Sequence, residues 1–231
     1  MLVLGLDTAT PAVGAAVVTV DEQVTTRAWR RTVDPRAHAE LLGPQIRAVL
    51  AEAGAGPADL AAIVAGTGPG PFTGLRVGLA TAAAMGQALG VPTYGVCTLD
   101  AIAAQAAASV TARTLVATDA RRRELYWAVY DRGARVSDPA VDPPAAVAKA
   151  AAQLGVGVAV GEGAHRYAAD LGLAVLDEPR YPDPAALVRL AADRIRAGAP
   201  GERLTPRYLR RPDAAAPRPP KPVTPQWTVR Q

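Results

Sequence analysis

Few residues in this chain have the type and spacing to do chemistry: two acids at strand ends, a glycine-rich loop and a histidine at the head of a helical stretch. Asp7-Thr8 follows the apolar run Leu2 to Leu6, and Asp119 follows Thr114 to Thr118. An acid at a strand end can hold magnesium against a phosphate, although a turn tied by its own side chain needs the same residues. The loop Gly66-Thr67-Gly68-Pro69-Gly70-Pro71 sits between an apolar run and a helical pattern. Glycines there let backbone amides approach an anion at the helix N-terminus. Asp7, Thr8, Gly68 and Gly70 are therefore the candidate nucleotide or anion set, against the plainer reading of a tight turn stiffened by proline. The loop lacks the lysine of a Walker motif and the spacing of a dinucleotide fingerprint. His38 would need a second metal ligand one turn on, where Leu42 stands, and the only other histidine is His165. Cys97 is alone, and neither Ser109 nor Ser137 lies in a nucleophile elbow. No metal site and no catalytic side chain is expected, and zinc proteolysis is excluded on the same grounds.

The elements that must position these residues follow from periodicity. Leu2 to Leu6, Ala12 to Val20 and Gln23 to Arg31 read as three strands joined by tight turns. A helix follows, opened by Asp34-Pro35 and carrying Leu42, Ile46, Val49 and Ala53 at helical spacing. Ala61 to Ala65 is a buried strand, Thr73 to Leu89 a second helix, and Val91 to Val96 a strand. The pattern then restarts with strands at 114–118, 123–130 and 156–160 and helices at 141–154 and 184–197. A duplicated β-β-β-α-β-α unit is the plan of the actin-like superfamily of sugar kinases and Hsp70 proteins (ASKHA), an α/β fold of two similar lobes. The expected division is an N-terminal lobe over 1–105, a C-terminal lobe over 106–200 and a basic, Pro- and Arg-rich tail over 201–231. Within the second helix Gly74, Gly78, Ala82 and Gly86 form a stripe without bulk, where either the chain's own sheet or a partner helix could pack.

Half the residues are hydrophobic and a fifth are charged, an ordinary globular balance. One cysteine excludes an intrachain disulfide and agrees with a cytoplasmic setting. The first residues lack the basic start of a signal peptide, and no apolar run is long enough to span a bilayer. The formal charge is +4, but from Arg203 onward seven basic residues face one acid, leaving the remainder at −2. Such a body makes a poor electrostatic footprint for nucleic acid. The proline-rich stretch Ala214 to Pro225 reads as a solvated tail, and Arg121 to Arg123 as a hairpin tip or a phosphate contact.

With these residues in place, the strings Leu6-Asp7-Thr8-Ala9, His38-Ala39-Glu40-Leu41-Leu42, Gly68-Pro69-Gly70-Pro71-Phe72-Thr73-Gly74-Leu75-Arg76-Val77-Gly78 and Thr118-Asp119-Ala120-Arg121 resemble, in order, motifs of the bacterial TsaB (YeaZ) family. They cover roughly the first 130 residues. Pro71 departs from that family, which usually has serine there. The resemblance implies a non-catalytic subunit of the machinery that makes N6-threonylcarbamoyladenosine at position 37 of tRNA. It pairs with and activates a catalytic sister, TsaD, and an ATPase subunit, TsaE, completes the assembly. The pairing helices would be the first two, which carry His38, Leu42 and Ile46, then Phe72, Gly74, Leu75, Arg76, Gly78, Leu79 and Ala82. The resemblance requires no cofactor, leaves room for ATP or ADP at the partner junction, and makes tRNA contact indirect. A small-molecule phosphotransferase and a free-standing homodimer are the alternatives.

Overall fold

The computed structural model describes residues 1–210. β1 (Leu2–Asp7), β2 (Ala12–Val20) and β3 (Val24–Val33) form the expected meander, followed by α1 (His38–Glu52), β4 (Leu60–Gly66), α2 (Phe72–Leu89), β5 (Thr93–Val96) and α3 (Thr98–Ala106). The second unit contains β6 (Thr114–Asp119), β7 (Leu125–Asp131), β8 (Ala134–Arg135), β9 (Ala140–Asp142), α4 (Pro144–Gln153), β10 (Val158–Val160), α5 (Glu162–Arg166), α6 (Ala168–Leu171) and β11 (Ala174–Val175). α7 (Pro184–Arg196) closes the chain of elements.

The duplication is explicit in the strand order. The first sheet runs β3-β2-β1-β4-β5 and the second β8-β7-β6-β10-β11, so the two units have the same topology. In each, the central strand pairs antiparallel with the next strand and parallel with the strand after the crossover helix. Asp7 and Asp119 end the equivalent strands β1 and β6. This is the actin-like α/β fold.

Both faces of each sheet are covered, which is why β1, β2 and β6 bury nearly every side chain rather than alternating. α1 and α2 cover one face of the first sheet through Leu42, Ile46, Val49, Leu75 and Leu79. The other face is covered by α7, through Leu187, Val188, Ala191 and Ile195. The expected lobe boundary assigned α7 to the second half, but its apolar stripe packs on the first sheet. α3 escapes the sequence pattern because it lies between layers and is apolar on more than one side, contacting both α7 and the second sheet. α1 begins at His38, not at Asp34; the Asp34 carboxylate accepts from the Arg36 amide in a turn before the helix (2.9 Å). Among the described residues no helix is long and apolar enough to cross a membrane.

Residues 201–210 return along the first unit. Glu202 exchanges backbone and side-chain hydrogen bonds with Thr93, and the Arg207 amide donates to Thr67 O (2.8 Å). Arg210 bonds Ala120 O and pairs with Glu124 on the second unit. This part of the tail is thus packed; the solvated stretch Ala214 to Pro225 lies outside the described residues.

Candidate functional site

The small-residue stripe of α2 packs inward. Thr8 inserts its hydroxyl into the helix, donating to Gly74 O (2.7 Å) and accepting from Gly78 N (2.9 Å), the two groups an unbroken α-helix would pair with each other. A Cβ at Gly78 would meet Thr8 Oγ1 at 2.6 Å, and one at Gly86 would meet the Thr93 methyl at 2.5 Å. The partner is therefore the chain's own sheet. Leu42, Ile46, Gly74, Leu75, Gly78, Leu79 and Ala82, all named for partner contact, are buried in the core of the first unit. Of the partner-facing set, Phe72 and Arg76 are exposed and His38 is half-buried.

The candidate anion set is likewise consumed internally. Asp7 is buried; its Oδ1 accepts from the Ala9 amide (2.9 Å) and its Oδ2 from the Thr98 hydroxyl (2.7 Å). Thr98 Oγ1 in turn accepts from Gly68 N (3.2 Å), and the Thr98 amide donates to Gly68 O. This closed network ties β1, the glycine loop and the head of α3 together. Burial raises the Asp7 carboxyl to about 6, against the pull of its two hydrogen bonds. Gly70 packs against the Ala9 backbone and Gly66 against the Asp7 carboxylate, each too closely for a Cβ. The glycines of this loop serve close packing; an open phosphate cradle is not what they form.

His38 Nε2–H donates to Thr10 O (2.8 Å), which fixes its tautomer and removes that nitrogen from metal binding, while Leu42 points into the core. Next to it a cavity of about 220 Å³ between the units is lined by Thr8, Thr10, His38, Thr73, Gly74 and Arg121. Arg121 comes from a hairpin tip in which Arg121, Arg122 and Arg123 all adopt positive φ (63°, 55° and 60°), a run that L-residues rarely sustain. At the equivalent strand end of the second unit, Asp119 pairs with Arg166 (2.9 Å) and its amide donates to Glu162, whose carboxyl burial raises to about 7. Asp7 and Asp119 correspond in topology, and each is occupied by its own unit.

What faces outward on α2 is a different set. Ala80, Ala83, Ala84, Gln87 and Ala88 are exposed, and Arg76 is the helix's one charged residue. Arg76 lies over the Phe72 ring (3.8 Å) and donates to the Tyr208 hydroxyl (2.7 Å), while the Phe72 and Tyr208 rings stack with centroids 5.3 Å apart. Sequence reasoning named Phe72 and Arg76 but missed the exposed alanines of this face and its Tyr208 flank. The legible signal was an 18-residue helix with a single charge; Tyr208 had none, being brought in from 132 residues away.

The family model described as "TsaD: tRNA N6-adenosine threonylcarbamoyltransferase" matches residues 32–193. An uncharacterized protein of Mycobacterium leprae is 48% identical over 96% of this chain and 57% of its own length. The tRNA threonylcarbamoyladenosine biosynthesis protein TsaB of Escherichia coli is 34% identical over 57% of this chain and 56% of its own. The chain thus spans a little over half the length of both. The crystal structure of an uncharacterized Pseudomonas aeruginosa protein with similarity to peptidase YEAZ superposes with a TM-score of 0.75 and 31% identity, over 90% of this chain and 99% of that one.

Proposed function

From the premise that this chain belongs to the TsaB (YeaZ) family, within the wider family of TsaD-type domains, we propose that it is the non-catalytic pairing subunit of a bacterial complex that forms N6-threonylcarbamoyladenosine in tRNA. Its role is to bind and activate a TsaD-type catalytic partner through the outward faces of α1 and α2. The observation that carries this reading is the outward side of α2. A helix bathed in water ordinarily carries charge on that side, whereas here Ala80, Ala83, Ala84 and Ala88 stand exposed with Arg76 as the helix's single charge. Small side chains let a second helix approach closely. The stacked Phe72 and Tyr208, with Arg76 over the Phe72 ring, supply the aromatic and arginine chemistry in which binding energy concentrates.

The phosphotransferase reading is disfavoured because both Asp7 oxygens are taken by Thr98 and Ala9. An adenine nucleotide at the partner junction remains part of the proposal, with Arg121 and the hydroxyls of Thr10 and Thr73 lining the cavity its phosphate would enter. A TsaE-type ATPase joins through the assembled pair, and contact with tRNA is made through the partner.

Light scattering on a mixture with the TsaD-type paralogue tests the pairing. The native chain converts to a heterodimer, and Ala83→Glu, at an exposed position, blocks this while leaving the melting temperature unchanged. Gly78→Leu is unsuitable as an interface probe, since its side chain would drive into Thr8. Undiminished heterodimer with Ala83→Glu refutes the α2 face. A chain that remains homodimeric beside the paralogue favours the free-standing homodimer instead.

A further inference from the structure

The first sheet has two edges, and the chain treats them differently. The β5 edge is covered by the returning segment: Glu202 N donates to Thr93 O (2.7 Å), Thr93 Oγ1 to Glu202 O (3.0 Å) and Gly95 N to the Glu202 carboxylate (3.2 Å). β3, at the opposite edge, is ten residues long and has no strand on its outer side among the described residues. An uncovered edge of that length presents a row of backbone donors and acceptors ready to pair with another chain.

Beside this edge runs a groove of about 470 Å³ between β3 and α1, lined by Trp29, Arg31, Thr32, Leu41, Pro44 and Gln45. Gln45 is only 7% exposed, yet neither its Oε1 nor its Nε2 has a hydrogen-bond partner. Buried amides are normally satisfied, and one carrying an unmet donor and an unmet acceptor matches the C=O and N–H of a peptide backbone. Trp29 and Val33 are half-exposed on the same strand (49% and 50%). The strand itself is one-sided in charge: β3 carries Arg27, Arg30 and Arg31 and no acid, while of the carboxylates near it Glu52 pairs with Arg30 (3.2 Å), Asp183 pairs with Arg189 (2.8 Å), and Glu178 lines a separate groove with Arg31.

We propose that the outer edge of β3 accepts an extended acidic segment of another protein as an added strand, its backbone bonded by the β3 edge and the Gln45 amide and its carboxylates by the arginines. A second copy of this chain is a poor occupant, because antiparallel pairing of two β3 strands sets arginine against arginine. The chain's own residues 211–231 have the wrong sign, with Arg211, Arg218, Lys221 and Arg230 against Asp213. Single-stranded RNA would stack on Trp29, but Arg31 already lies over that ring (5.6 Å) and is held in place by Tyr181, and RNA leaves the open backbone edge unused. The inference is independent of pairing through α2.

The test uses the full chain with an end-capped peptide that alternates valine and glutamate and matches β3 in length, its lysine counterpart, and oligouridylate. Calorimetry reads affinity, and amide hydrogen exchange reads protection at β3. The glutamate peptide binds and slows exchange along β3, and Arg27→Glu and Gln45→Leu each weaken it by roughly tenfold or more. Equal binding of the lysine peptide, binding without protection of β3, or binding of oligouridylate alone overturns the proposal. Arg27→Glu, at an exposed position, stands as the deciding variant should Gln45→Leu alter the fold.

Discussion

Thr8→Val isolates the contact on which the packing of α2 turns. Valine keeps the shape of threonine but replaces the hydroxyl with a methyl group, so Gly74 O and Gly78 N lose the atom that satisfies both. The methyl occupies the space between them and keeps them from pairing directly. Each buried group left without a partner costs about 1–3 kcal/mol, and the added apolar burial offsets less than about 1 kcal/mol. A net loss of about 3 kcal/mol, at roughly 2–4 °C per kcal/mol for a chain of this size, lowers Tm by roughly 6–12 °C. Differential scanning calorimetry at fixed pH reads this, with Thr8→Ser as the control: it retains the hydroxyl and stays much closer to the parent. A Thr8→Val variant melting within about 1 °C of the parent, or a Thr8→Ser variant falling as far, refutes the wedge and the energetic account built on it.

Other expectations follow from the same geometry. Gly78→Ala places a Cβ 2.6 Å from Thr8 Oγ1 and destabilises by about 1–3 kcal/mol; in a Thr8→Ala background the same change costs less, which a double-mutant cycle on melting data detects. Asp7, raised to about 6, and Glu162, raised to about 7, bind protons more tightly folded than unfolded, so their contribution to stability is full below about pH 4 and falls as pH rises, to pH 6 for Asp7 and 7 for Glu162. Glu162→Gln therefore flattens the fall between about pH 4.5 and 7 in urea unfolding series, and an unchanged slope counts against the assignment. Tyr208→Ala removes the stack on Phe72 and the bond from Arg76, and limited proteolysis then cuts within 201–210 sooner, while global Tm moves by no more than about 3 °C because the contact is exposed.

The strands and the first two helices of the first unit were legible because their apolar patterns are strong and their turns carry glycine, proline or aspartate; α3 was not. The second unit repeated more weakly in sequence, yet the same strand order emerged. Its third strand is only the two-residue β8, too short for a periodic pattern to register. The missing second histidine after His38 was also plain, since Leu42 cannot ligate a metal wherever it points.

Direction was not legible. The stripe Gly74, Gly78, Ala82 and Gly86 announces that something approaches closely, but the same spacing serves a sheet and a partner helix equally. Only the fold, by bringing Thr8 across from 70 positions before Gly78, decides that the stripe faces inward and hands the outward side to Ala80, Ala83 and Ala84. The glycine loop is the same case: its glycines permit an anion or a neighbouring backbone, and Ala9, Leu75 and Thr98 fill the space first. Sequence by itself determined which backbone approaches are sterically allowed, because that depends on local side-chain volume. The tertiary structure decided which neighbour makes each approach, because that depends on contacts between residues far apart along the chain.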